Sequence, residues 1–261
     1  MDIFLVIGII VGLAAVSTGL LMKGASVSIL FSPEAMIVIL VGTSAAVMNS
    51  FTKKEFLNIP KVFGAIFSDK RKEDPVELIK EIVEMAQETR KNGLLSLESK
   101  TQEMKNLYMK LGIEMMVDGE EPEYIRQVLS DEIEALEERH RNNASIFTTA
   151  GGASPTLGVL GAVIGLIGAL GNLNDTTKLG ESIAAAFVAT LYGIFFGYVV
   201  WHPFASRLKR KSHEEVNNMM IIQEGILAMQ EGKNPKSIQK KLSTMLEPKD
   251  RKKLETTGNN G

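Results

Sequence analysis

The sequence predicts an all-α, polytopic membrane protein with four transmembrane helices and a helical cytoplasmic domain. Charge is strongly segregated, since 54 of the 60 Asp, Glu, Lys and Arg residues in this 261-residue chain lie in residues 53–141 and 207–261. Four other stretches contain none of these residues: 3–22, 35–52, 142–174 and 182–206. Each approaches or exceeds the roughly 18 to 20 apolar residues that a helix needs to cross a bilayer.

These patterns divide the chain into four consecutive segments. We predict a transmembrane hairpin at 1–52, a cytoplasmic helical domain at 53–141, a second hairpin at 142–206 and a cytoplasmic tail at 207–261. The short linkers within the two hairpins contain one basic residue each, Lys23 and Lys178. Because basic residues accumulate on the cytoplasmic side of a membrane, both long charged segments and both termini are expected in the cytoplasm.

The cytoplasmic domain is predicted to contain three helices. Asp74 and Pro75 form a typical helix start, and Gly93 is a typical stop. A second helix is expected at 94–116, ended by a turn at 118–120, and a third from Pro122 toward Arg141.

Two further segments have less definite patterns. Residues 54–67 form an amphipathic helix that either lies in the membrane interface or packs on its own domain. The tail is expected to hold one or two helices within 213–246, whereas 250–261 has the composition of a disordered segment.

Composition excludes several classes of protein. The chain has no cysteine, which excludes disulfides, thiol nucleophiles and thiolate metal sites. The two charged blocks together contain 27 basic and 27 acidic residues, so no basic surface for nucleic acid is expected. The three histidines, His140, His202 and His213, accompany no nucleophile or acid motif. We therefore expect no catalytic residues, no metal and no cofactor.

The third and fourth spans are rich in glycine and alanine, which allow close helix packing. Pro155 and Pro203 each remove a backbone donor and can bend or loosen a helix. No carboxylate or amine occurs at membrane depth, where an ion-coupled protein ordinarily keeps one. The polar groups left in the fourth span are the hydroxyls of Thr190 and Tyr192. If this chain moves protons, another chain must supply the carboxylate.

Three segments of the second hairpin carry a family resemblance: 153–166 (ASPTLGVLGAVIGL), 189–193 (ATLYG) and 201–203 (WHP). Together they resemble the MotA/PomA family of flagellar stator subunits. The order of hairpin, long loop and hairpin agrees with that family along nearly the whole chain. The resemblance implies a homopentameric ring in the bacterial cytoplasmic membrane, surrounded by lipid, around two helices of MotB that each carry an aspartate. It also implies that ion flow is converted into torque on the rotor protein FliG.

The resemblance also assigns roles to individual residues. Arg90 and Glu98 stand where the family has a charged pair that engages FliG. Pro155 and Pro203 are expected to shape the ion path and its coupling to the cytoplasmic domain, while Thr190 faces the MotB aspartate.

One position indicates the transported ion. Sodium-driven members of the family have a threonine where this chain has Ala162, whose side chain offers no oxygen ligand. We therefore predict coupling to H⁺ rather than to Na⁺.

Two other functions fit parts of the pattern. The related ExbB/TolQ proton channels energise a periplasmic partner, but they resemble three-span proteins, and the hairpin at 1–52 argues against them. A secondary transporter would show more spans or an inverted repeat and a polar site at the midplane, which the sequence lacks.

Overall fold

The computed structural model describes residues 3–24, 26–68 and 73–258, and within these ranges every regular element is helical. The α-helices in the described residues are α1 (Ile3–Met22), α2 (Pro33–Met36), α3 (Gly42–Ser50), α4 (Lys53–Phe67), α5 (Pro75–Asn92), α6 (Glu98–Thr101), α7 (Leu107–Val117), α8 (Pro122–Leu170), α9 (Thr176–Phe195), α10 (His202–Gln230), α11 (Pro235–Ser243) and α12 (Pro248–Gly258). Short 3₁₀-helices lie at Val27–Leu30 and Leu94–Leu97, and π-helical turns at Ile37–Val41 and Phe196–Trp201.

Four helical stretches are long and apolar enough to cross a membrane. They are Ile3–Met22, Val27–Ser50, Pro122–Leu170 and Thr176–Gln230. This confirms the prediction of an all-α membrane protein with four spans. We call the uncharged parts of these stretches, residues 3–22, 35–52, 142–174 and 182–206, spans 1 to 4.

The chain forms two compact units. The first contains residues 1–70 and 140–210, and the second contains 71–139 and 211–261. The first unit therefore holds the apolar part of every span, and the second holds most of the charged residues.

Helix α4 packs against the first unit through one face. A capping box between Thr52 and Glu55 begins the helix. Val62 and Ile66 are buried, and the ring of Phe63 lies 5.1 Å from that of Phe147 in an edge-to-face arrangement. The packed face contacts the first unit, so the hypothesis that this helix packs on the cytoplasmic domain is wrong. Leu57, at 65% exposure, faces outward, and a position in the membrane interface stays a prediction.

The core of the second unit is built from both the segment before span 3 and the tail. Ile82 in α5 and Ile226 in α10 are fully buried in one cluster, together with Leu242 of α11. A Cβ on Gly225 would lie 2.7 Å from Ile82, so α5 and α10 approach closely. Residues predicted as a separate tail thus complete the core of the second unit.

The first predicted cytoplasmic helix is confirmed at both ends. The Asp74 side chain accepts a hydrogen bond from the Val76 amide, and Pro75 occupies the first turn. Gly93 ends the helix with φ of 80°, a conformation that favours glycine.

Two other predicted helices differ from the structure. The helix expected at 94–116 is interrupted, because Asn106 caps a new helix through a bond from the Met109 amide. The helix from Pro122 does not stop near Arg141 but continues to Leu170, since no glycine or proline separates the amphipathic part from span 3 until residue 151.

The described part of 250–261 is helical rather than disordered. Helix α12 runs to Gly258 and buries Leu254 in the core of the second unit. Arg251 fixes it by donating to the carbonyls of Ser243 at 2.8 Å and Thr244 at 2.7 Å. Residues 259–261 of the predicted disordered stretch lie outside the described residues.

Candidate functional site: the seam between spans 3 and 4

Spans 3 and 4 meet along a seam of glycine and alanine. A Cβ on Gly193 would lie 2.6 Å from the Ser154 carbonyl oxygen and 2.8 Å from Gly158 Cα. A Cβ on Gly165 would likewise lie 2.8 Å from the Ala186 methyl. The backbones of the two spans are therefore in direct contact, as the small residues predicted.

Thr190 lies on this seam. It is half-buried, and its hydroxyl is directed to two carbonyl oxygens, at 3.3 Å from that of Ala186 and 3.4 Å from that of Gly158. Both contacts are long for a hydroxyl donor, and one proton serves both oxygens. The Thr190 hydroxyl is consequently held at the seam by weak bonds, and its oxygen can accept a bond from another group.

Both prolines lie where backbone hydrogen bonding is altered. The ring of Pro155 packs against span 4, and a Cβ on Gly197 would come within 2.9 Å of its Cγ. Pro203 follows the π-helical turn Phe196–Trp201 directly, in the first turn of α10. In a π-helical turn the backbone hydrogen bonds join residues five apart instead of four, and such turns occur frequently at functional sites. The sequence indicated a loosened helix here through Pro203, but not this turn.

The other two residues assigned to the ion path, Ala162 and Tyr192, lie apart from the Thr190 hydroxyl. Ala162 is half-buried on span 3, one helical turn beyond Gly158, whose carbonyl contacts Thr190. Tyr192 packs instead against the small cluster that contains Ala35 of span 2, and its ring lies 6.2 Å from that of Phe196. The two hydroxyls of span 4 thus lie on different helix faces and do not converge.

Sequence reasoning missed a buried hydroxyl pair. Ser154 and Thr43 are 0% and 3% exposed, and their hydroxyl oxygens lie 3.0 Å apart. Ser154 also donates to the Ala150 carbonyl at 2.9 Å. The pair joins span 2 to span 3 beside Pro155. The available signal was a serine directly before a proline within an apolar span.

Much of the apolar surface beside the seam is uncovered. The exposed residues of spans 3 and 4 include Val159, Leu160, Val163, Ile164, Leu166, Ile167, Phe187 and Ile194. Lipid or further helices must cover these faces in a membrane.

Arg90 and Glu98 lie in the second unit, on either side of the Gly93 turn. Arg90 is in the last turn of α5 and Glu98 begins α6, and both are exposed. Buried Leu97 fixes the connecting 3₁₀-helix to the core. The turn thus presents a cation and an anion near one end of α5, anchored to a rigid core.

A neighbouring charge cluster is structural. Glu224 of α10 lies 3.5 Å from Arg126 of α8 and bonds to Lys241 of α11. Partial burial raises the pKa of Glu224, but the bond to Lys241 and the charges of Lys241 and Arg126 outweigh this, so the pKa is below its usual range. The cluster ties three helices together.

The described residues contain no group of three or more His, Asp or Glu side chains arranged to hold a metal ion.

Comparisons with known proteins agree along nearly the whole chain. Residues 6–93 match the Motility protein A N-terminal family, and residues 100–221 match the MotA/TolQ/ExbB proton channel family. The chain is 46% identical to Motility protein A of Bacillus subtilis over 99% of this chain and 96% of the relative. It is 33% identical to Chemotaxis protein PomA of Vibrio alginolyticus over 94% of this chain and 96% of that protein.

Solved structures give the same result. The flagellar MotAB stator complex from Bacillus subtilis contains a chain that matches with a TM-score of 0.90 and 47% identity, covering 95% of this chain and 98% of that one. A chain of C. jejuni MotAB matches with a TM-score of 0.90 and 30% identity, covering 95% and 97%.

Proposed function

This multi-pass membrane chain belongs to the Motility protein A family of flagellar stator subunits, within the MotA/TolQ/ExbB proton channel family, and we propose that it forms a proton channel with MotB and drives the rotor protein FliG. Its likeness to chains of two MotAB complexes supports this association.

One observation carries the channel hypothesis. The seam between spans 3 and 4 holds Thr190 beside uncovered apolar faces, but no titratable carboxylate or amine lies within 182–206. A helix of MotB that brings an aspartate to Thr190 would complete an ion site and cover part of this surface. Protonation removes the aspartate's charge, which is costly in a membrane, so each proton passage changes how that helix packs on the seam.

The proposed assembly is a ring of five copies around two MotB helices. Five equivalent seams cannot engage two aspartates in the same way at once. Alternate engagement of the two aspartates therefore turns the ring in steps.

We propose that the second unit transmits torque from the ring to FliG. Arg90 and Glu98 are exposed beside the Gly93 turn, and each can pair with an opposite charge on FliG. Since the turn is anchored to a buried core, force on these side chains reaches the helices of the unit rather than a flexible loop.

The orientation follows from the distribution of basic residues. With 27 of the 29 Lys and Arg residues in 53–141 and 207–261, both segments and both termini are placed in the cytoplasm, and the chain in the bacterial cytoplasmic membrane.

Native mass spectrometry of the full chain co-expressed with the neighbouring single-span gene product tests the assembly. We expect five chains of 28.5 kDa with two partner chains. A complex without the partner dimer, or a lone monomer that carries a solute, would overturn the shared-carboxylate mechanism.

The match of residues 100–221 is to a family that includes ExbB and TolQ, so it also fits the ExbB/TolQ alternative. Residues 6–93, which contain spans 1 and 2, match the motility branch instead, so the stator function is preferred.

A further inference from the structure

We propose that a groove between span 1 and the Pro203 end of span 4 binds an anionic phospholipid, with one acyl chain along the groove and the phosphate at Arg207 and Arg210. This inference requires that the chain is embedded in a membrane, but it does not depend on torque generation.

The groove lies entirely within the first unit and has a volume of about 570 Å³. Its walls are mainly apolar, with Ile9 and Val11 from span 1 facing Val199 and Pro203 from span 4. Ligand pockets in proteins typically have volumes of roughly 300 to 1,000 Å³, so an acyl chain fits by size.

Two glycines of span 1 shape the groove. A Cβ on Gly12 would lie 2.7 Å from Val199 Cγ1, so the two spans touch there. A Cβ on Gly8, one turn closer to the N-terminus, would have no atom of the chain within 4 Å. The helices therefore separate from Gly12 toward Phe4, and the missing side chain of Gly8 deepens the space between them.

The groove is charged at one end only. Arg207 is half-buried and Arg210 is exposed, and both line the groove from one face of α10. Arginine is always protonated, and its planar group matches a phosphate with two parallel hydrogen bonds. None of the described residues that line the groove is acidic. Each guanidinium group has five N–H donors, so a phosphate can be bound at this end in addition to the contacts that these side chains already make.

The dimensions fit one leaflet of a bilayer. The wall from Tyr198 to Arg210 extends for about 18 Å at 1.5 Å per residue, slightly more than half of a hydrocarbon core of about 30 Å. Tyr198 and Phe4 are 63% and 86% exposed at the mouth, as expected for side chains that meet lipid. Basic residues at the end of an apolar groove of this length favour a phospholipid over a second protein.

The test uses the full chain with its partner in nanodiscs that contain equal amounts of phosphatidylglycerol and phosphatidylcholine with identical acyl chains. Native mass spectrometry counts the lipids retained per complex. We expect phosphatidylglycerol to be retained selectively. The double variant Arg207→Gln, Arg210→Gln should lower this selectivity by about tenfold or more, given the contribution of each basic residue near an anionic lipid.

A second variant tests the apolar part of the groove. A Cβ at position 8 would have no atom of the chain within 4 Å, so Gly8→Leu should extend into the groove and reduce retention of both lipids. This variant also keeps the proposal testable if the arginine variant fails to fold.

Matched controls come from the same helices. Lys209→Gln removes a neighbouring exposed cation that does not line the groove, and Gly19→Leu adds a side chain at another open glycine of span 1. Both should retain selective binding. Equal retention of the two lipids by the unmodified chain, or equal loss of selectivity in Lys209→Gln, would overturn the proposal.

A photo-crosslinking amino acid at position 8 identifies the occupant in membranes. Lipid adducts are expected. Adducts between two copies of the chain would show instead that the groove is an interface between protomers.

Discussion

At the scale of single residues, the hydroxyl of Thr190 is a polar group that lies on the seam beside uncovered surface. Its bonds to the Ala186 and Gly158 carbonyls are long, so the oxygen can accept a bond from a protonated aspartate of the partner. We predict that Thr190→Val lowers motor rotation by at least about tenfold, the cost of one lost hydrogen bond of about 1.4 kcal/mol. The measurement is the speed of tethered beads in cells that express each variant.

Two variants separate the hydroxyl from its packing. Thr190→Ser keeps the oxygen and should retain most of the rotation. Thr156→Val removes an exposed hydroxyl of span 3 that bonds within its own helix, and it should leave rotation unchanged. Full rotation of Thr190→Val would remove this residue from the proposed ion site.

Glu224 supports a prediction about stability and pH. Its pKa is lowered in the folded chain, because its bonds and charge pairs with Lys241 and Arg126 outweigh burial. A carboxylate with a lowered pKa stabilises the fold above the pKa of the unfolded chain, and this contribution disappears as pH falls through the folded value. After allowance for solvent screening, Glu224→Gln should cost about 0.5 to 1 kcal/mol at pH 7.

Thermal unfolding of the full chain in detergent, followed from pH 7 down to pH 3, measures this difference. The gap between Glu224→Gln and the unmodified chain should narrow below the usual pKa of glutamate, about 4.3. Glu123→Gln is the control, because Glu123 is 88% exposed at its side chain and lies 3.9 Å from the same arginine. A gap that stays constant over this range would show that the Glu224 charge does not stabilise the fold.

At the scale of helices, the seam depends on the absence of side chains. Gly193→Ala would place a methyl 2.6 Å from the Ser154 carbonyl oxygen and 2.8 Å from Gly158 Cα, which are backbone atoms that cannot rotate away. Spans 3 and 4 would have to separate, and overpacking of this kind costs about 1 to 3 kcal/mol. We predict a lower melting temperature for the detergent-solubilised chain and loss of motility.

The control lies on the same helix. Gly180→Ala, in α9, would add a methyl with no atom within 4 Å, and alanine has the higher helix propensity. This variant should melt at the same temperature as the unmodified chain or slightly above it. If Gly193→Ala behaved like Gly180→Ala, the seam would be looser than the structure shows.

The elements that sequence predicted well have strong local signals. Apolar length identified the four spans, and Asp74, Pro75 and Gly93 marked both ends of α5. The break at Asn106 was missed although an asparagine helix cap is a local signal. Helix α12 was missed because it depends on tertiary contacts. Leu254 is buried only against other parts of the second unit, although its surrounding sequence is highly polar.

For the candidate site, residue types were more predictable than geometry. Glycine and alanine spacing predicted the close contact of spans 3 and 4, which the structure shows. It could not show that Tyr192 turns toward span 2, nor that Ser154 meets Thr43, since both contacts join residues far apart in the chain. The roles of Arg90, Glu98, Pro155, Ala162, Thr190, Tyr192 and Pro203 stay predictions that mutation must test.

At the scale of the whole molecule, the two units differ both in charge and in the role that each can have. The first unit carries the uncharged seam on which an ion site can be completed, and the second carries a packed helical core with exposed charges. Helices α8 and α10 each contribute residues to both units.

The ion that drives this molecule follows from what the seam can bind. Sodium needs several oxygen ligands, and on span 3 the side chain of Ala162 supplies none, whereas a proton needs only the partner's carboxylate. We therefore predict that replacing external sodium with potassium, at constant pH and membrane potential, leaves bead rotation unchanged. A protonophore should stop rotation in both media, which verifies that the ion gradient is limiting. Loss of torque in potassium alone would contradict proton coupling and indicate that other oxygens at the seam hold sodium.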